Sequence, residues 1–177
     1  MTNVLSLMMG HFLIPLHSFH YFTFMPKKFK LTGDFIPEYT VIGISSQARG
    51  YRLAIVVNEK LKLHLRRKED FPGPGNRQEL NYALYQDIVK DLPRNFYLLY
   101  NRHPEGLLVP SLKGIDAFLV IYESLPSRDV NALLSRLRQG QGIQAAYTIK
   151  SSTAKDFDLL LEDLEVHIMK QEKTAGE

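Results

Sequence analysis

The chain has 177 residues and a formal net charge of +3, with 45% apolar and 23% charged residues. That length allows one domain with a substantial core, and the composition excludes a chain that is disordered throughout. The absence of cysteine excludes disulfides, thiolate zinc sites and cysteine nucleophiles, which suits a cytoplasmic protein. No apolar run approaches the roughly 20 residues that cross a bilayer, so we expect no membrane partner.

The first 26 residues carry no charged side chain. A secretory signal would need a basic start and an unbroken apolar run, and Pro15 interrupts this one. Three histidines lie in the segment without a carboxylate near them in sequence, so we predict no metal site there. Because the composition changes abruptly at Met25, we interpret residues 1–26 as a leader that is disordered or precedes the native start at Met25.

The first predicted elements are a strand, a helix and a second strand. Tyr39–Ile44 is an uninterrupted β-branched run, which is typical of a strand buried on both faces. Ser45 or Ser46 is expected to cap a helix that ends near Leu61. Lys60–Lys68, KLKLHLRRK, then alternates with period two, which predicts a strand with leucines inside and basic residues outside.

The rest of the chain alternates between strands, turns and amphipathic helices. Two prolines and two glycines mark residues 71–79 as a loop. The remaining predicted strands and helices lie at about residues 80–89, 95–101, 115–123, 127–140, 143–150 and 153–170. Six strands and three helices with short connections predict an α+β fold, with a mixed or antiparallel sheet of five to six strands and about three helices packed on one face. We predict one domain over residues 27–170 and a frayed tail at 171–177.

Several short motifs occur in a characteristic order. They are GISS at 43–46, YRLA at 51–54, LRR at 65–67, YLLYNR at 97–102, GLLVP at 106–110 and DAFLVI at 116–121. In these motifs the chain resembles the IPExxxVD family of small uncharacterised bacterial proteins, over roughly residues 29–149. The stretch IPEYTVIG at 36–43 keeps the first three residues of the family's name motif and ends in Ile42-Gly43. The resemblance implies a grouping by fold and no mechanism.

Two groups of basic residues are candidates for binding an anion or a partner. Arg49 and Arg52 lie near the start of the first predicted helix, where free backbone N–H groups favour anions. Lys62, Arg66 and Arg67 belong to the basic strand. That strand can neutralise nucleic-acid phosphates, but charged residues also protect the edge of a sheet from aggregation.

A third group of candidates lies at strand ends. Asn101, Arg102 and His103 follow one predicted strand, and Asp116 precedes the most apolar one. Because binding sites are often built on the loops at strand ends, we predict these four residues to line a pocket.

Ser45-Ser46 stands where a strand meets a helix, as a catalytic serine does in a nucleophile elbow. The final glycine of G-x-S-x-G is missing, so we favour helix capping and assign no catalytic residue, metal or cofactor. Residues 49–68 carry seven basic residues and one acid, whereas residues 155–173 carry six acids and three lysines. We therefore interpret the chain as a non-enzymatic protein-interaction or scaffold domain that binds a protein partner or a second copy of itself. The alternative is weak nucleic-acid binding through Lys60–Lys68.

Overall fold

The structure is a computed structural model that describes residues 39–48, 50–74, 79–87, 96–150 and 157–174. All of them belong to one unit, Ile36–Glu177. The predicted leader, residues 1–26, and the candidate Arg49 lie outside the described residues.

The described helices and strands follow one another in an order typical of an α+β fold. They are β1 Thr40–Ser46, α1 Tyr51–Leu61, β2 Leu65–Arg67, β3 Phe71–Pro72, β4 Asn81–Tyr82, β5 Leu84–Asp87, β6 Phe96–Tyr100, β7 Arg102–His103, β8 Gly106–Leu107, a 3-10 turn at Pro110–Leu112, β9 Ala117–Ile121, α2 Ser127–Arg138, β10 Ile143–Ile149 and α3 Phe157–Thr174. Six strands form one antiparallel sheet in the order β10-β1-β9-β6-β5-β2, and β3–β4 and β7–β8 form two small ribbons. The predicted fold class, α+β with a mixed or antiparallel sheet of five to six strands and about three helices, is confirmed, and the described sheet has six strands that are all antiparallel.

Two interior strands of the sheet, β1 and β9, are apolar on both faces. All five residues of β9 are buried, and β1 pairs with β9 on one side and with β10 on the other. Successive residues of β1 point to opposite faces, so Val41 and Ile42 enter different apolar clusters. A sheet of this kind needs a cover on each face.

The three described helices cover both faces of the sheet, which corrects the prediction that they pack on one face. α1 and α2 pack with Ile42 and Ile44 on one face. α3 packs with Val41 and Phe118 on the opposite face. The unbroken apolar run of β9, AFLVI, already indicated this arrangement, because a strand with one wet face would alternate apolar and polar residues.

The predicted cap of the first helix is wrong. β1 continues through Ser46, and α1 begins only at Tyr51, after Gly50 with a φ of 59°. The Ser46 hydroxyl accepts the Ala48 N–H at 3.0 Å and donates to the Gly142 carbonyl at 2.9 Å. Ser46 therefore anchors the turn before the helix to the start of β10.

The predicted basic strand is much shorter than nine residues. α1 extends to Leu61, and Lys62 turns the chain with a φ of 58°. The Asn58 side chain fixes this turn by accepting the Leu65 N–H at 2.8 Å and donating to the Leu65 carbonyl at 3.2 Å. Only Leu65–Arg67 pairs as β2, at one edge of the sheet.

α3 ends the described chain at Thr174, four residues beyond the predicted end of the domain. None of the helices in the described segments combines the length and the apolar character that crossing a bilayer requires.

Candidate functional site

Asn101 lies at the end of β6 and is completely buried. Its amide nitrogen donates to the carbonyls of Leu112 (3.1 Å) and Ile115 (2.9 Å), and its side-chain oxygen accepts the Val109 N–H at 2.7 Å. These three bonds use both donors and the carbonyl oxygen of the amide. Asn101 therefore holds the connection between β8 and β9 in place, and its polar atoms are not free for a ligand.

Arg102 and Asp116 form an ion pair beside Asn101. The Arg102 Nε donates to Asp116 Oδ1, and the Arg102 Nη2 donates to the Lys113 carbonyl at 3.1 Å. Asp116 Oδ2 accepts the Ser46 N–H at 2.7 Å. Asp116 thus ties the end of β1 to β7, two segments that lie more than 50 residues apart in sequence.

An open depression of about 390 Å³ lies over this ion pair. It brings the predicted pocket residues Arg102 and Asp116 together with Ser45 and Gln144. The Ser45 hydroxyl contacts the Gln144 amide oxygen at 3.4 Å. A nucleophilic serine needs a base within hydrogen-bond reach, and no histidine is among the described residues that line the depression.

His103 lies away from this depression, in the hairpin of β7 and β8. Its Nδ1 accepts the Glu105 N–H at 3.2 Å, and its ring packs edge-on against Tyr82 with centroids 5.8 Å apart. Of the four predicted pocket residues, the structure brings Arg102 and Asp116 to one depression, buries Asn101 beneath them and places His103 elsewhere.

The basic candidates do not form one surface. Arg52 and Lys62 are exposed at opposite ends of α1, which at 1.5 Å per residue separates them by about 15 Å. Arg66 is exposed on β2. Arg67 pairs with Asp70, and its guanidinium lies 5.4 Å from the centre of the Tyr85 ring.

Within the described segments, no three histidine, aspartate or glutamate side chains come close enough together to hold a metal ion. On α3, Asp158, Glu162 and Asp163 are exposed, whereas Glu165 is partly buried and accepts the Tyr39 hydroxyl.

Three tyrosines form a cluster on the α3 face. The Tyr122 ring packs edge-on against Tyr39 at 4.9 Å and Tyr97 at 5.1 Å. Burial, followed by the charge of nearby tyrosines and Glu165, raises the pKa of Tyr122 well above the usual tyrosine value. Burial and a hydrogen bond to Glu165 raise the pKa of Tyr39. The Tyr122 hydroxyl is buried and has no hydrogen-bond partner among the described residues.

We expect Tyr122→Phe to leave the free energy of unfolding unchanged at pH 7 or to raise it by up to about 1 kcal/mol, because it removes an unsatisfied buried hydroxyl. A raised pKa in the folded state means that stability is lost as the pH rises above about 10, the usual tyrosine value. The variant should therefore lose less stability than the wild type between pH 9 and pH 11. Urea titrations at pH 7, 9 and 11 measure this, and a clear loss at pH 7 would show that the hydroxyl has a partner.

The two edges of the six-stranded sheet differ in length and charge. At one edge, β2 has three residues, and two of them are the exposed arginines Arg66 and Arg67. At the other edge, β10 has seven residues, IQAAYTI, with no charge, proline or glycine. Natural proteins protect an edge from pairing by making it short or charged. β2 is protected in both ways, and β10 in neither.

The outer side of β10, here called the β10 edge, presents backbone groups that point away from β1. Ala146 lies opposite Ile44, whose carbonyl accepts the Asp116 N–H on the β9 side. A strand residue directs its N–H and C=O to the same side, and the side alternates along the strand. Ala146 and Thr148 therefore point their backbone groups away from β1. In the described part of the chain, no strand pairs with them.

Arg138 is the side chain that reaches the β10 edge. Its Nε and Nη2 both donate to the Ala146 carbonyl, at 3.0 and 2.7 Å. Neither Arg138 nor the β10 edge was predicted from the sequence, although the run IQAAYTI is uncharged. The missing information was the strand order, which decides which of six strands lies outermost.

No family model, no curated protein and no solved structure matches the chain. The resemblance to the IPExxxVD family therefore stays a prediction.

Proposed function

We propose that this chain is a protein-interaction domain that binds an extended segment of a partner protein along the β10 edge. The observation that carries the proposal is the contrast between a long, uncharged β10 and a short, arginine-rich β2 at the other edge. Adding a strand to an exposed sheet edge is a common way to recognise a peptide, because the main-chain hydrogen bonds supply affinity for many sequences.

The fold supports this role because the strand that would receive the partner is held firmly. β10 pairs with β1 over most of its length and packs against α2 on one face of the sheet. An edge that is already ordered loses little conformational entropy when a partner strand pairs with it. Tyr147, with 41% of its surface exposed, adds an aromatic contact on the opposite face.

A second copy of the chain is the less favoured occupant. Antiparallel pairing of β10 with β10 of a second copy requires a two-fold axis perpendicular to the sheet, so α2 of each copy lies on the same face. Around Ala146 this brings two Arg138 side chains together, and like charges at an interface oppose binding. A partner that does not repeat Arg138 avoids this cost.

Nucleic-acid binding through Lys60–Lys68 has weaker support. Two of its five basic side chains pair with neighbouring acids, Lys60 with Glu59 and Arg67 with Asp70. The other three, Lys62, Arg66 and Lys68, have no ion pair with any acid that the structure describes, but three side chains offer few phosphate contacts.

Selection from a random peptide library tests the proposal. We expect immobilised wild-type protein to enrich peptides rich in β-branched and aromatic residues, and Thr148→Pro to enrich none of them. Proline removes an N–H that faces away from β1, so the native pairing with β1 is kept. Thr148→Ala is the matched control, because it removes the same side chain and keeps the N–H.

Circular dichroism and a thermal melt establish that both variants are folded. Equal enrichment by wild type and Thr148→Pro, or no enrichment by folded wild type, would contradict the proposal.

A further inference from the structure

We propose that the partner strand carries an aspartate or glutamate opposite Ala146, and that this carboxylate is recognised by Arg138. The inference rests on the proposed function, because it names the chemistry of the segment that binds the β10 edge. The observation that supports it is the pair of hydrogen bonds that the Arg138 guanidinium donates to the Ala146 carbonyl.

The Ala146 carbonyl is the group that an incoming strand would use. In an antiparallel pair, the residue opposite Ala146 exchanges hydrogen bonds with its outward N–H and C=O. Arg138 now donates two hydrogen bonds to that carbonyl. A partner backbone N–H that takes this acceptor displaces at least one of them, and the guanidinium then needs a new acceptor.

The face of the sheet determines which side chain can supply that acceptor. The Ala146 side chain points to the face covered by α1 and α2. Residues directly opposite each other in a sheet project to the same face, with their Cβ atoms about 5 Å apart. The partner residue opposite Ala146 therefore lies under α2, beside Arg138. A carboxylate there can accept two parallel N–H bonds from the guanidinium.

The surroundings of Arg138 contain no competing acid on the same side of α2. By helical spacing, Ser127 and Asn131 share that side, whereas Asp129 lies half a turn away. Lys150 is exposed directly after β10. The acidic residues of α3 lie on the other face of the sheet. The electrostatic potential at the β10 edge is therefore positive and favours an acidic partner.

The neighbouring positions of the partner strand meet a different surface. Tyr147 pairs with Gly43 and points to the α3 face, where its ring is partly exposed. The partner residues on either side of the acid project to that face and can pack on the ring. Aromatic and β-branched residues are the favoured cross-strand neighbours of a tyrosine. The expected segment therefore has an acid between two apolar residues.

Three peptide probes test the inference. They share the sequence Thr-Val-Thr-Val-X-Val-Thr-Val-Thr-amide with a fluorophore on the N-terminal amine, and X is Glu, Gln or Lys. By fluorescence anisotropy, we expect wild type to bind the Glu probe about tenfold more tightly than the Lys probe, the sum of one attractive and one repulsive cross-strand pair. Arg138→Glu should invert this preference, and Arg138→Gln should abolish it.

Arg136→Glu is the control for net charge. Arg136 is exposed on α2, lies about 200° around the helix from Arg138 and carries the same charge. This variant should keep the wild-type order of the three probes. An inverted order in Arg136→Glu as well would mean that the general field selects the probe, and it would overturn the role of Arg138.

The remaining outcomes separate this inference from the proposed function. If folded wild type binds all three probes equally and Thr148→Pro binds none, strand pairing stands and the acid preference is wrong. If no probe binds folded wild type although the library is enriched, the acid preference is wrong; if no probe binds and no peptide is enriched, both are wrong. Sedimentation of the protein alone tests the other occupant: a dimer that Thr148→Pro dissociates would show that a second copy covers the edge, and would overturn the acidic partner.

Discussion

Replacing Leu164 with alanine is expected to lower the free energy of unfolding by about 2–5 kcal/mol, the range for a buried leucine in a well-packed core. Leu164 has no exposed surface and belongs to the apolar cluster between α3 and the sheet. The loss should appear in a urea titration as a lower midpoint with an unchanged slope, because the same surface is exposed on unfolding.

Leu159 offers a matched control on the same helix. It is 61% exposed and lies on the side of α3 that faces away from the sheet. Leu159→Ala removes the same atoms from a site that is mostly in water, so we expect a change within about 0.5 kcal/mol. Equal losses in the two variants would show that α3 does not cover the sheet, and the two-faced architecture would then be wrong.

Much of the fold is visible in the sequence because its strongest signals are local. The β-branched run of β1, the apolar run of β9 and the stripe that includes Leu160, Leu161 and Leu164 each place an element and its buried side. What they do not specify is the partner of each buried side. A leucine stripe shows that a helix has an apolar face, but either face of the sheet can accept it, and this is why the one-face prediction failed.

In the candidate site too, local sequence patterns identify the residues but not their partners. Asn101, Arg102 and Asp116 stand out because they are polar residues next to apolar strands, and the structure does place them together. Asp116 also accepts the N–H of Ser46, which lies 70 residues earlier in the sequence. Only the pairing of β1 with β9 brings it there. The contact between Arg138 and Ala146 likewise requires β10 to be an edge strand, which no local pattern reports.

β10 is an edge strand because of the order of the strands in the sheet, which no sequence motif specifies. A central β10 with the same sequence would be an ordinary strand, and its lack of charge would be needed for burial. At an edge, the same lack of charge leaves the backbone groups of Ala146 and Thr148 available. The function proposed for this chain is therefore a property of strand order, and it is tested by changing the edge rather than the core.

Asn101→Ala is expected to cost about 3 kcal/mol of stability or more. The change leaves the Val109 N–H and the Ile115 carbonyl without their side-chain partner in the interior, while the Leu112 carbonyl still accepts the Ile115 N–H. An unsatisfied buried group costs about 1–3 kcal/mol, and water entering the space left by the amide can recover only part of this. Chemical denaturation measures the loss, and hydrogen exchange should show faster exchange of the Val109 amide.

Two variants determine whether the hydrogen bonds cause this effect. Asn131→Ala removes the same side chain from an exposed position on α2 and should change stability by less than about 0.5 kcal/mol. Asn101→Asp keeps an acceptor for the Val109 N–H but turns a carboxylate oxygen toward two carbonyls, so it should be at least as damaging as alanine. If Asn101→Asp instead restores wild-type stability, the two carbonyl contacts contribute nothing. The connection from β8 to β9 would then be held by the Val109 contact alone, and the Arg102–Asp116 pair would not depend on the buried amide beneath it.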